Sequence, residues 1–389
     1  MIKKQYIDKN IIYLDNASTT IPYSCDIPEN IWFNASAPYK GGVEVKQILT
    51  QCKEDILRMF NIKDGNVLFT SGATESNNIV IQSIVNIILE EGFHNYRYNI
   101  IVSPTEHPSV LNIYKELQKS DFIDIRYLPI DEKGTVIIEK IEEMIDEDTL
   151  LLSCMYVNNE VGNVQPIKEL GNICLDNNIL FHVDGTQAVG KIEIDCMRDH
   201  IDFLTFSAHK FHGPKGIGAL VCTFPMFDFL YPIMHGGHQQ QSKRPGTENV
   251  LDIYIMTELL KEVTNVENIE ESQSLSSIAN KLLQGYLANN FKKDEYKINS
   301  TDFYIPIMNV SFKNITGEYL VEELSKYNIY VSSGSACTTG NFENSHVLEA
   351  MNVSSDFIEG TIRISFDPFE IDDKSLMETI LKIKEIISK

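Results

Sequence analysis

A chain of 389 residues, 43% hydrophobic and 23% charged, has the make-up of an ordinary folded protein with room for two domains. Its formal net charge of −22 leaves no basic footprint for nucleic acid, which is not expected as a partner. No apolar run approaches the length of a membrane span and the polar opening MIKKQYIDKN is not a signal peptide, so no membrane partner and a cytoplasmic location are expected.

Between positions 67 and 221 short apolar runs alternate with helical patterns. Strands are expected at Val67–Phe69, Ile100–Val102, Ile123–Leu128, Leu150–Tyr156, Leu180–Val183, Phe203–Phe206 and Ile217–Val221. Intervening segments show apolar spacings of three and four, as at Ile167, Leu170, Ile173 and Cys174. This alternation predicts an α/β fold, a mostly parallel sheet covered by helices on both faces, with ligands at the carboxyl ends of the strands. A helix over Asn249–Val263 leads out of this region, and the polar, acidic stretch Asn265–Ser277 reads as a surface connection. Beyond it come a helix, a strand near Met308–Phe312, a helix near Glu318–Tyr327, a strand at Gly360–Phe366 and a terminal helix, which together make a smaller α+β domain. The expected division is 15–257 for the large domain, with 1–14 and 258–389 forming the small one.

Seven cysteines stand at positions 25, 52, 154, 174, 196, 222 and 337, with no Cys-x-x-Cys pair, so neither a disulfide framework nor a zinc site is indicated. Cys154 and Cys174 lie in apolar runs, as small core residues do. Cys337 lies in Ser332-Ser333-Gly334-Ser335-Ala336-Cys337-Thr338-Thr339-Gly340, whose composition is that of an exposed loop. Such a loop has little apolar surface to offset the entropy of ordering it, so it is expected to move, and a thiol there is either idle or reactive.

Chemistry-bearing residues fall at the expected strand ends. Ser71-Gly72-Ala73-Thr74 opens a helix and its N–H groups suit a phosphate, although Ser and Thr cap helices generally. His107, in Thr105-Glu106-His107-Pro108, is placed to lie over a flat ring and move protons, or else is structural. Asn159 offers an amide after another strand. Asp184 ends an apolar strand, where it suits a pyridine nitrogen or a turn, and Gln187 follows it. In Ser207-Ala208-His209-Lys210 a lysine directly follows a buried strand, the setting of a Schiff-base amine, the alternative being a surface lysine in a turn. Arg363 lies in the apolar strand Thr361-Ile362-Arg363-Ile364 and needs an anionic partner, either an amino-acid carboxylate or a structural ion pair.

These residues sit in segments that resemble the group I (NifS/IscS-like) cysteine desulfurases of the class V aminotransferase family, enzymes dependent on pyridoxal 5'-phosphate (PLP). The matching segments are YLDNASTT (13–20), SGATESNN (71–78), TEHPSVL (105–111), VNNEVGNVQP (157–166), HVDGTQAVGK (182–191), SAHKFHGPKGIGAL (207–220), RPGTENV (244–250), SSGSACT (332–338) and TIRISF (361–366). The resemblance implies PLP fold type I, with Lys210 carrying the cofactor, His107 on its ring, Asp184 at its nitrogen and Gln187 at its phenolic oxygen. Asn159 is implied beside the cofactor or the substrate. Ala73, Thr74, Ser207 and His209 would hold the phosphate, with Thr247 contributed by the second subunit of a homodimer. Asn34, Asn159 and Arg363 would hold the carboxylate of L-cysteine. Cys337 would take the sulfur, leaving L-alanine, and pass it to an acceptor protein, an iron–sulfur scaffold or a thiolation enzyme. The chain departs from the family pattern in a short segment before Trp32, in Gln240 where an acid is usual, and in Phe366-Asp367-Pro368 where a basic segment is usual. Another PLP reaction, such as transamination or β-elimination, would have no use for Cys337, and a non-catalytic scaffold would tolerate loss of Lys210 or Cys337.

Overall fold

The computed structural model describes residues 2, 8, 10–90, 98–119, 123–333 and 344–389, so the cysteine loop from 334 to 343 lies outside the described residues. In chain order the elements begin with β1 (Ile12–Tyr13), α1 (Lys40–Met59), β2 (Gly65–Thr70), α2 (Ala73–Glu90), β3 (Tyr98–Val102), α3 (Pro108–Leu117) and β4 (Ile123–Tyr127). They continue with β5 (Thr149–Met155), α4 (Ile167–Asn177), β6 (Leu180–Asp184), β7 (Phe203–Ser207), β8 (Gly218–Thr223) and α5 (Val250–Val263). All seven expected strands join one sheet in the order β2-β8-β7-β6-β5-β3-β4.

Strand direction decides where the site lies. Strands β4, β3, β5, β6 and β7 pair in parallel, and β8 alone runs against both of its neighbours, β7 and β2. The carboxyl ends of β2, β3, β5, β6 and β7 therefore share one edge of the sheet. Gly218 starts β8 at that edge, opposite Thr70 and Ser207. A Cβ there would come within 2.4 Å of the Phe206 carbonyl and 2.7 Å of the Gly72 Cα, so only glycine lets the β2–α2 turn lie against the end of β7.

The remaining elements are α6 (Val266–Asn290), β9 (Tyr296–Ile298), β10 (Ile307–Phe312), α7 (Gly317–Ser325), β11 (Ile329–Tyr330), β12 (Ser332–Ser333), α8 (His346–Ala350), α9 (Ser355–Ile358), β13 (Thr361–Ser365) and α10 (Asp373–Ile387). An antiparallel sheet, β12-β13-β10-β9, places Arg363 between Asn309 and Ser332. Its core includes Leu283, Leu287, Val310, Phe312, Leu324, Ile364, Ile380 and Ile383. Leu14 belongs to that core, and β1 pairs with β11, so residues 12–14 pack with the smaller sheet.

One segment differs from its reading in the sequence. Asn265–Ser277 is no surface connection: it forms the cap and first half of α6. Asn265 accepts the N–H of Glu267, and the buried face is built from Ile269, Ser272, Ser276, Ala279, Asn280, Leu283 and Leu287. The helical spacing is present, but serine and asparagine occupy positions where apolar residues would have revealed it. Ser276 returns its hydroxyl to the Ser272 carbonyl, and Asn280 donates both amide hydrogens to the Phe303 and Ile305 carbonyls, which offsets part of the cost of burying them.

Gln240 shows why an amide stands where the family has an acid. Gln240, Gln241 and Ser242 all have positive φ, and this turn carries the Gln240 amide to the free edge of β2. Its Oε1 accepts the Phe69 N–H at 2.7 Å and its Nε2 donates to the Phe69 carbonyl at 2.9 Å, as a neighbouring strand would. A carboxylate can do only the first. Gln240→Glu should therefore lower unfolding stability by about 1–3 kcal/mol, measured by denaturant titration, and an unchanged midpoint would show that this edge contact is idle.

Candidate functional site

A cleft of about 580 Å³ opens at the shared strand edge and is lined by Ala73, Thr74, His107, Asn159, Asp184, Gln187, Ser207, His209, Lys210 and Arg363. Ten of the residues singled out in the sequence thus meet in one place. A second hollow continues from it along Ser71–Thr74, Ser207, His209 and Lys215. Asn34 and Thr247 are not brought in: both are exposed, and Asn34 accepts the N–H of Ser36 instead.

Lys210 follows β7, and its ammonium donates to the carbonyls of Ala17 at 2.7 Å and Ser18 at 2.8 Å. Gln187 donates to the same Ala17 carbonyl at 2.8 Å, while its Oε1 is buried with no partner. At the β2–α2 turn, the Ala73 N–H donates to Ser207 Oγ at 2.7 Å, which leaves the serine proton available to the cleft. His209 lies 3.2 Å from the Thr19 hydroxyl, and burial, followed by the charges of Lys210 and Lys215, pushes its imidazole down to about 4. It is neutral at physiological pH.

Asp184 is held at the closed end by the Thr186 N–H at 2.9 Å and the Asn77 amide at 3.0 Å. Arg363 is paired with Asp15 at 2.7 Å and donates to the Ser18 hydroxyl and the Asn159 carbonyl, yet its Nε is buried without an acceptor. The structural ion pair is present, and one N–H of the guanidinium is left without a protein acceptor.

These features fit PLP. The Asp184 acid suits a ring nitrogen, the helix start with Ser207 and His209 suits a phosphate, and Lys210 lines the same cleft. The buried, unpartnered oxygens of Gln187 and Thr186 mark where a polar ligand would satisfy the wall.

Several contributors escaped the sequence reading. Glu106 and Glu160 lie inside segments singled out for a neighbouring residue. Glu106 is fully buried, accepts the Met155 N–H, and is held well above the usual carboxylate range by burial and then by Asp184. His346, whose Nε2 donates to the Glu106 carbonyl at 3.0 Å, and Ser345, which donates to Glu160, carried no signal at all. Among the described cysteines, Cys52, Cys154, Cys174, Cys196 and Cys222 are buried, Cys25 is half-buried, and burial raises every one of these thiols. None lines the cleft. Ser333 and Asn344, which flank the segment bearing Cys337, both do.

The aminotransferase class-V family matches residues 12–372. The chain belongs to that family, on its cysteine desulfurase branch. It is 34% identical to the cysteine desulfurase IscS of Methanosarcina thermophila, over 98% of this chain and 93% of that protein. Among solved structures, a NifS-like protein superposes with a TM-score of 0.84 at 31% identity, covering 97% of this chain and 99% of the other. SspA in complex with cysteine gives 0.71 at 28% identity, over 92% and 100%.

Glu160 generates a pH prediction. Burial raises its carboxyl to about 7, opposed by the Ser345 hydroxyl and Arg363. The folded state thus holds a proton that the unfolded chain releases near the model-peptide value, so this contribution is full below about pH 4.3 and is lost as pH rises through about 7. Glu160→Gln should flatten that loss, of order 3 kcal/mol, in stability measured across this window. A wild-type profile identical to the variant's would refute it.

Proposed function

We propose that this cysteine desulfurase holds PLP on Lys210 and uses Cys337 to take sulfur from L-cysteine, releasing L-alanine. The observation that carries the reading is that both ends of the Cys337 segment, Ser333 and Asn344, line the cleft that holds Lys210, Asp184 and His107. Cys337 lies four residues past Ser333, within about 14 Å of chain.

When bound, PLP supplies an electron-withdrawing ring that stabilises negative charge on the substrate carbons. The chain's own groups do the rest. Asp184 would accept a hydrogen bond from the ring nitrogen and so favour its protonated form. Ser207, His209, Ala73 and Thr74 hold the phosphate at the start of α2. Arg363 offers its unpartnered Nε–H to the substrate carboxylate, with Asn159 beside it. The Cys337 thiolate attacks the substrate sulfur: an S–S bond forms, the C–S bond breaks, and its electron pair stays on carbon, which is protonated on the way to alanine. The persulfide then passes to an acceptor protein for iron–sulfur assembly or thiolation, in the cytoplasm. Among the described residues no helix is long and apolar enough to cross a membrane.

A homodimer is part of this reading. Thr247 is exposed and does not line its own cleft, as expected of a residue serving the neighbouring site. Ile27, Trp32, Phe33, Tyr39 and Val43 expose an apolar stretch, with Trp32 73% accessible, that a second copy would cover. The division into domains 15–257 and 1–14 with 258–389 completes the proposal.

Two measurements check it. Incubation with L-cysteine and a reductant should yield sulfide and alanine in equal amounts, and Cys337→Ser should lose at least about a thousand-fold of the sulfide while still binding cysteine. Normal sulfide from that variant would sink the role of Cys337. Trp32 is the only tryptophan, so its emission should move to the red on dilution as sedimentation reports dissociation; emission typical of an exposed indole in an undiluted dimer would remove the aromatic stretch from the interface.

A further inference from the structure

His107 caps the helix that follows it. Its Nδ1 accepts the Ser109 backbone N–H at 3.1 Å and lies 2.9 Å from the Ser109 hydroxyl. A backbone N–H can only donate, so the Nδ1 lone pair is committed as an acceptor. A neutral imidazole in that position carries its proton on Nε2, the nitrogen left for the cleft that His107 lines.

A separate run of hydrogen bonds reaches the same result from the other side. Asn77 donates its Nδ2 to the Asp184 carboxyl oxygen at 3.0 Å. Asn77 Oδ1 then accepts from the Thr205 hydroxyl at 2.7 Å and from His182 Nε2 at 3.2 Å. His182 Nδ1 in turn accepts from Ser153, 3.1 Å away, and Ser153 accepts from the Tyr114 hydroxyl at 2.6 Å. Burial pushes His182 down to about 4, so it is neutral and the polarity of this run is consistent throughout. The second hydrogen of Asn77 Nδ2 goes to Ser109 Oγ at 3.0 Å. Having accepted, that hydroxyl has its own proton to give, and His107 Nδ1 is the acceptor within reach. From Tyr114 to Asn77 every member is buried, so reversing one link would set donor against donor with no water to relieve it.

We propose that Asn77 and Ser109 are positioning residues that lock His107 in the neutral Nε2–H tautomer, so that it meets substrate sulfur as a hydrogen-bond donor and not as the base that takes a thiol proton. Protonating Nδ1 would aim an N–H at the Ser109 N–H and put charge at the positive end of α3. Burial, Lys210 and His346 lower the imidazole further, against Asp184. The identity of the sulfur rests on the desulfurase reading; the tautomer does not.

The test reads the imidazole directly, in cofactor-free full-length protein labelled with 15N-histidine and without added cysteine, so it stands whether or not the protein releases sulfide. With His107 assigned by its loss in His107→Gln, Nδ1 should show the shift of an unprotonated acceptor and Nε2 that of an N–H, unchanged from about pH 6 to about pH 8. Ser109→Ala keeps the backbone N–H but removes the hydroxyl, and should introduce the second tautomer; Ser109→Thr should restore one. An Nδ1–H tautomer or an imidazolium in the wild type would overturn the proposal, and an unchanged Ser109→Ala spectrum would remove the role given to Ser109 and Asn77. In the loaded enzyme, His107→Gln keeps an N–H donor but cannot take a proton, and should release sulfide about tenfold faster than His107→Ala. Equal rates would overturn the donor role.

Discussion

Strand direction is the constraint on which this molecule depends. Because β3, β5, β6 and β7 run together and β2 shares their direction through the reversed β8, the turns after all five open on one edge. Each turn brings a different chemical group: N–H donors after β2, an imidazole after β3, an amide after β5, a carboxylate at the end of β6 and an amine after β7. Had β8 not been reversed, Gly218 would start at the far edge and the phosphate-like turn would lose the surface it rests on.

The residues 14–20 tie this edge to the smaller sheet. Leu14 is buried in the core beneath the antiparallel strands, while Asp15 takes the Arg363 guanidinium and Ala17 accepts from both Gln187 and Lys210. Thr20 accepts the His212 N–H and gives its hydroxyl to the His209 carbonyl. A segment with almost no regular structure thereby sets the spacing between the amine and the arginine. Asp367 adds to the same region by accepting the Tyr23 hydroxyl, with Tyr23 stacked on His212 at 4.0 Å, which gives the acidic departure after β13 a structural use.

Buried polarity behind the cleft is unusually continuous. Tyr114, Ser153, His182, Asn77 and Asp184 are all nearly inaccessible and all partnered. Such a run is costly to leave half satisfied, and when complete it fixes each proton by its neighbours. Rigidity of this kind suits a wall that must hold a flat ring and a substrate in one relation.

Much of this was legible in the sequence, because periodicity and turn chemistry are local. Runs of β-branched and aromatic residues specified all seven strands of the large sheet, and the groups at their ends named the chemistry before any fold was known. The first half of α6, residues 265–277, was not legible, since its inward face uses Ser272 and Ser276 where apolar residues would have shown the period, and Asn280 further along meets acceptors at Phe303 and Ile305 only when the chain folds. The same holds for Glu160, Glu106 and the pairing of Arg363 with Asp15. Their environments are made by segments 49 to 348 residues apart. Residue types and spacing determined which groups the protein owns; only the tertiary structure decided which are buried, which are already paired, and on which nitrogen a histidine carries its proton, because those are properties of neighbours that the chain meets only when it folds.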